Sequence, residues 1–188
     1  MFMLIKTAFA ILLVVAACVT SYGQQDESKR PSPAAQTQCK FSGGKTITVN
    51  YSSPRMRGRN VFGELVPYGK IWRTGANEAT TFVTDESLIA VTGTDIPAGR
   101  YTIFTVPNPD KWTLIINKHT GESGIPYKDE SEELARVPMS VTKLPAPVEN
   151  FTISFDHNGG SCTMRMSWEN TQASIEFTEK NTDLPVAR

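Results

Sequence analysis

The sequence predicts an all-β domain: an antiparallel β-sandwich or barrel-like sheet of about 8–9 strands, with one long irregular loop and one short helix. Three observations predict it. Apolar and polar residues alternate with period two in at least four stretches, the breaks between stretches carry Gly, Pro and Asn turn chemistry, and a helical period is nearly absent. The length of 188 residues fits one domain, and 39% apolar residues suffice for a core.

The N-terminus reads as an address. Lys6 is the only charge before Asp26, and the apolar run from Ala8 to Ala17 follows it. That run is shorter than the roughly 20 residues of a membrane-spanning helix and fits the apolar core of a signal peptide. Residues 1–18 are therefore expected to be a signal peptide. Val15-Ala16-Ala17-Cys18 resembles a lipobox, making Cys18 the candidate for lipidation, while Ser21-Tyr22-Gly23 before Gln24 offers an ordinary cleavage site as the alternative. The expectation is an exported protein, periplasmic or anchored in the outer membrane as a lipoprotein, with the membrane as partner if Cys18 is acylated. Residues 19–38, rich in Gln, Ser, Pro and charge, read as a flexible tether.

Residues 39–178 form the expected single β domain, and 179–188 a C-terminal tail. Ile47, Val49 and Tyr51 alternate with Thr46, Thr48 and Asn50 in the first clear strand. Weaker candidates follow at Thr80 to Val83 and Leu88 to Val91. Tyr101 to Val106 and Trp112 to Ile116 are partly apolar on both faces, as central strands can be. Asp129 to Ala135 reads as about two turns of helix with a solvated acidic face. Val137 to Val141 is another weak strand. Phe151 to Phe155, Cys162 to Trp168 and Ala173 to Phe177 alternate cleanly, and Asn158-Gly159 marks a hairpin between the first two.

Apart from Cys18, the cysteines are Cys39 and Cys162. In an exported chain they read as a candidate disulfide, closing a loop of order 100 residues. Two separate buried thiols are the alternative.

Several functions are disfavoured by composition and motif. Nineteen basic and nineteen acidic residues leave no net charge, so no nucleic-acid partner is expected. His119 and His157 lie in turn-like sequence without a nucleophile signature around them. Asp156-His157-Asn158 is a poor metal site, because adjacent residues of an extended chain point to opposite faces. No metal and no cofactor are expected. The triplets at Asn50 and Asn150 match a glycosylation pattern and read as chance in a bacterial chain.

Alternation vanishes between Tyr51 and Thr80. From Pro54 to Glu78 the chain carries Arg55, Arg57, Arg59, Lys70 and Arg73 against Glu64 and Glu78, with the aromatics Phe62, Tyr68 and Trp72. A connection this long within a compact domain is functional or disordered, and its aromatics argue for order. Guanidinium donors would attract an anion, and ring faces would suit a sugar. Candidate ligand residues are Arg57, Arg59, Tyr68, Trp72, Arg73, Asn77 and Glu78. The structural alternative pairs Arg73 with Glu78, uses Asn77 to fix the loop and places Trp72 in the core.

The run Tyr51-Ser52-Ser53-Pro54, Arg57-Gly58-Arg59 and the continuous stretch Phe62 to Thr80 resemble the bacterial domain-of-unknown-function family 2911. So do Ile96 to Pro107 and Trp112 to Lys118. The likeness covers about residues 40 to 178. It implies an exported protein of the kind found mainly in Bacteroidetes and brings no activity or catalytic residue with it. The cysteine pair is not associated with the family pattern.

The leading expectation is noncatalytic binding of a polar ligand, a saccharide or envelope polymer, by the loop Arg55–Glu78. A hydrolase using a carboxylate pair, with Glu64 and Glu78 as first candidates, is one alternative. A structural envelope lipoprotein that meets a protein partner is another.

Overall fold

The computed structural model describes residues 30–120, 127 and 130–180; the expected signal peptide, Cys18, both candidate cleavage sites and residues 181–188 lie outside them. Nine strands follow in order: β1 (Ala34–Lys40), β2 (Thr46–Ser52), β3 (Thr81–Thr84), β4 (Leu88–Ala90), β5 (Asp95–Ile96), β6 (Gly99–Val106), β7 (Lys111–Asn117), β8 (Glu133–Asn158) and β9 (Ser161–Glu179). All pairings are antiparallel, in one sheet of order β1-β2-β3-β6-β7-β8-β9-β4-β5.

The alternation in sequence becomes the inner face of this sheet. Ile47 and Val49 of β2, Ile153 of β8, Met164, Met166 and Trp168 of β9, and Ile175 and Phe177 further along β9 are buried in one core. The central strands behave as their composition requires. Ile103, Leu114 and Ile116 enter that core, while Phe104 and Ile115 of the same strands are buried outside it.

The sheet is rolled but is not closed by a strand ladder. In a flat sheet β1 and β9, six spacings apart, would lie about 29 Å from each other. Instead Cys39 of β1 and Cys162 of β9 are disulfide-bonded, with 6.1 Å between their Cα atoms. Beside this staple, Ser42 Oγ donates to the Gly159 carbonyl at 2.9 Å. Past the end of β2 an isolated bridge joins Arg55 to Asn150 of β8. Phe151 N donates to Pro54 O at 2.8 Å and Met56 N to Glu149 O at 2.9 Å.

The β8–β9 hairpin turns through Gly159 and Gly160, with Asn158 paired to Ser161. Gly159 has φ 59°, a conformation that Gly adopts without steric cost. Midway, the register breaks. Lys143 pairs with Thr171 and Val148 with Glu169, so β8 has extra residues that include Pro145 and Pro147, neither able to donate to a ladder. Glu169 takes φ 52° at this irregularity.

Three boundaries differ from expectation. Ala34 to Gln38, placed in the tether, belong to β1: the Gln36 amide donates to Asn50 Oδ1 at 2.6 Å and the Gln38 amide to Thr48 Oγ1 at 3.0 Å across the strand pair. The helix expected over Asp129–Ala135 is a 3-10 turn at Glu130–Glu132, because Glu133 and Ala135 already pair with Asn117 and Ile116 of β7. The final strand runs to Glu179, and Lys180 N still donates to Ser87 O at 2.8 Å.

The staple spans a sequence separation of 123 residues. Urea unfolding of the oxidised and reduced chain should differ by about 4–5 kcal/mol, as loops of this order predict. Superimposable curves would show that the rolled sheet holds without the bond.

Candidate functional site

The segment between β2 and β3 is irregular in shape and fixed in place. Arg57 (φ 51°) and Gly58 (φ 70°) turn the chain, and the Arg57 amide donates to Glu149 Oε1 at 3.0 Å. Arg59 reaches back over that turn, its Nε donating to Met56 O at 2.9 Å and its Nη2 to Arg55 O at 2.8 Å. A small knuckle follows, in which Val66 N donates to Val61 O and Gly63 N to Val66 O. The Phe62 amide is taken by Glu169 Oε2 at 3.2 Å, so the irregularity in β9 places a carboxylate under the knuckle.

Trp72 then locks the segment to the sheet. Its N–H donates to Thr105 O at 2.7 Å and Thr105 N returns a bond to Trp72 O at 2.9 Å, extending the edge of β6 beyond its partner β3. The indole stacks on Trp168 at 5.8 Å with 20° between planes and meets Phe151 at 4.9 Å edge to face. Phe62 closes against Trp72, Trp112 and Trp168. All three tryptophans of the chain share this cluster. Edge-to-face and offset contacts of this kind add about 0.5–1.5 kcal/mol per pair beyond burial.

Beyond Trp72 the backbone is strained. Thr74, a β-branched residue, has φ 58° and is fully buried; its hydroxyl lies 3.1 Å from Thr105 Oγ1, and its carbonyl accepts from Thr80 Oγ1 at 2.8 Å. Gly75 has φ 153°, and a Cβ there would sit 3.0 Å from Ser52 O and from Thr80 Oγ1. Asn77 (φ 54°) donates from Nδ2 to Ser32 O at 2.9 Å, and Arg73 Nη1 donates to Asn77 O at 3.2 Å.

This packing leaves a cleft of about 570 Å3, within the range of small-molecule sites. Arg59, Arg73, Ser32 and Tyr127 line it on the polar side. Leu65, Val66, Ile71, Phe104, Trp72 and Trp168 supply most of its apolar wall, and the described lining contains no carboxylate. Tyr127 presents a ring rather than a free hydroxyl. Its ring packs edge to face on Phe104, and its O–H donates to Glu133, which also takes two bonds from the Arg136 guanidinium. Burial first, and the Glu133 carboxylate second, push the Tyr127 hydroxyl up to about 12, so it stays protonated at neutral pH. The Arg136 hydrogen bonds hold the Glu133 carboxyl below the usual range.

The residues proposed from sequence are therefore divided. Arg59, Trp72 and Arg73 share the cleft. Glu78 lines a second cleft of about 440 Å3 with Arg30, Asn50 and Ser52, where it accepts from Arg30 Nη1 at 2.9 Å and Ser52 Oγ at 3.2 Å. Its own backbone N–H, with smaller contributions from Arg30 and Ser52, keeps its carboxyl low. The alternative pairing of Arg73 with Glu78 is replaced by these bonds. Asn77 fixes the loop, and Tyr68 is exposed, with its ring against Gly63. Arg57 is exposed and lines neither cleft, and Glu64 accepts from Asn60 Nδ2 at 2.8 Å. Sequence reasoning missed Glu149 and Glu169, the carboxylates that hold the loop amides, and Phe104 and Tyr127 of the cleft wall. The doubly apolar pattern of β6 was the available signal for Phe104.

Trp72→Ala should lower stability by about 2–3 kcal/mol in urea unfolding, below the range for a fully buried Trp because one side of the ring faces the cleft. Gly75→Ala should cost about 1–3 kcal/mol, because its Cβ meets backbone. Wild-type stability in either variant would mean that the loop is not packed as described.

A family model described as "Protein of unknown function (DUF2911)" matches residues 32–177, from just ahead of β1 to near the end of β9. Neither the curated proteins nor the solved structures give a match to the chain. With nearly the whole rolled sheet and the complete Trp72 loop inside the match, the chain belongs to the DUF2911 family of proteins of unknown function.

Proposed function

We propose that this is an exported, membrane-tethered binding domain whose Arg55–Glu78 loop holds an anionic saccharide or envelope polymer without transforming it. One observation carries the reading. Among the described residues, none of the loop cations Arg55, Arg57, Arg59, Lys70 and Arg73 has an ion-pair partner, although the chain as a whole is neutral. Elsewhere the described cations divide, with Arg30, Lys118, Arg136, Arg165 and Lys180 paired with carboxylates and Lys40, Lys45, Arg100, Lys111 and Lys143 unpaired and scattered over the sheet, so what sets the loop apart is five unpaired cations gathered in one segment. Unneutralised guanidinium groups on a rigid loop are suited to carboxylate or phosphate, and their field raises the local concentration of anions.

Export has separate support. A Cys39–Cys162 bond suits an oxidising compartment, in keeping with the signal-like N-terminus and the lipobox-like run that ends at Cys18. The carboxylate-pair alternative draws less support, since Glu64 bonds to Asn60 while Glu78 lines a different cleft from the cationic one.

The test is calorimetric titration with polygalacturonate and with neutral dextran. Binding is expected for the acidic polymer alone and should weaken as salt rises toward physiological strength. Arg57→Gln and Lys70→Gln, whose side chains make no internal hydrogen bond, should together reduce it about tenfold while the fold is kept. Equal binding of both polymers, or of neither, would refute the proposal.

A further inference from the structure

The cleft beneath the loop has a composition that a sugar does not explain. Of its polar groups, the Tyr127 hydroxyl is committed to Glu133, and Arg59 already gives two donors to backbone carbonyls. What remains toward a ligand is Ser32 and the free N–H groups of two guanidinium ions, since Arg73 uses one donor for Asn77 O and each guanidinium has five. Opposite them stands an apolar wall. Among the described residues the exposed large hydrophobics are Leu65, Tyr68, Ile71 and Val91, and two of these, Leu65 and Ile71, belong to this cleft. A sugar carries a hydroxyl on nearly every ring carbon and would leave most of them facing hydrocarbon, at a cost in unmet hydrogen bonds. An ion alone would leave the apolar wall wet.

We propose that the cleft binds a single membrane-derived anionic lipid, its charged head met by Arg59 and Arg73 and its apolar body laid on Leu65, Ile71 and Phe104. The inference rests on the reading above in taking the loop charge as directed at a ligand, and it names a different class of ligand for the cleft itself. The two halves of the site match the two halves of an amphiphile: cations without a carboxylate in the described lining, and aliphatic side chains left uncovered. Position favours a lipid source. Ser32 lies on the cleft wall, fourteen residues after Cys18, so an acylated Cys18 holds the cleft no farther than about 50 Å from the bilayer, the fully extended length of that segment.

The experiment uses the full chain, its intrinsic tryptophan fluorescence and titration calorimetry. Trp72 and Trp168 line the cleft, so occupancy should alter the emission directly. Three probes are compared below their micellar concentrations: lysophosphatidylglycerol, lysophosphatidylcholine with the same acyl chain and no net charge, and glycerol phosphate as the head without the chain. Lysophosphatidylglycerol should bind about tenfold or more tightly than either comparator. Arg73→Gln should weaken it by a similar factor. Leu65→Asp, at an exposed position where folding is undisturbed, places an acid in the cleft and should weaken it as well. Equal affinity for the charged and uncharged lipids, tight binding of glycerol phosphate alone, or no binding of any probe would overturn the inference. Polymer binding with no lipid binding sinks this inference alone, lipid binding with no polymer binding sinks the earlier reading alone, and failure of both removes the ligand role of the loop charge.

Discussion

The stack of Trp72 on Trp168, with the paired backbone bonds between Trp72 and Thr105, is the constraint on which the rest of the molecule depends. Without it, residues 53–80 would be a long connection with five cations and little reason to hold one shape. With it, one ring joins the loop to β6 through its backbone and to β7, β8 and β9 through Trp112, Phe151 and Trp168. The loop thus enters the core through Val61 and Val66, packs Trp72 against it, and exposes its charged residues on either side.

The sheet is shaped to receive that ring. Its roll brings β1 against β9, where Cys39 and Cys162 fasten it, and brings the chain after β2 against β8 at Arg55 and Asn150. The register breaks in β8 and β9 turn two carboxylates outward under the loop, so that Glu149 and Glu169 accept the amides of Arg57 and Phe62. Each of these acids takes a backbone amide of the loop, and neither pairs with a loop guanidinium. Strain at Thr74 and Gly75 is the accompanying cost of turning the chain sharply from the cluster toward β3. The cleft is the space left between a loop pinned at Trp72 and a sheet whose outer face carries Phe104.

Much of this was legible in the sequence, and what was not has a physical reason. The strands with one wet face announced themselves, since a period of two across Thr46 to Tyr51 or Cys162 to Trp168 has no other economical fold. β1 was hidden because Gln36 and Gln38 look like tether until their amides meet Asn50 and Thr48, a partner that lies beyond a turn. Asp129 to Ala135 reads as helical by composition, yet the open edge of β7 claims Glu133 onward, and tertiary pairing overrides local preference. In the loop, composition revealed charge and aromaticity and left their division unreadable. Whether Trp72 faces a ligand or the core turns on Phe62, Phe151 and Trp168, which are distant in sequence. Likewise Glu78 was a plausible partner for Arg73 until Arg30, far upstream, took its place.

The measurement that tests the central role of Trp72 most directly is native-state hydrogen exchange of its backbone amide, read beside that of Ile103 in the middle of β6. Both amides donate to backbone carbonyls, Trp72 to Thr105 and Ile103 to Thr80. If Trp72 fastens the loop to the core, the two exchange at the same slow rate, set by global unfolding. Fast exchange at Trp72 while Ile103 stays protected would show a loop that opens on its own, and would contradict the account.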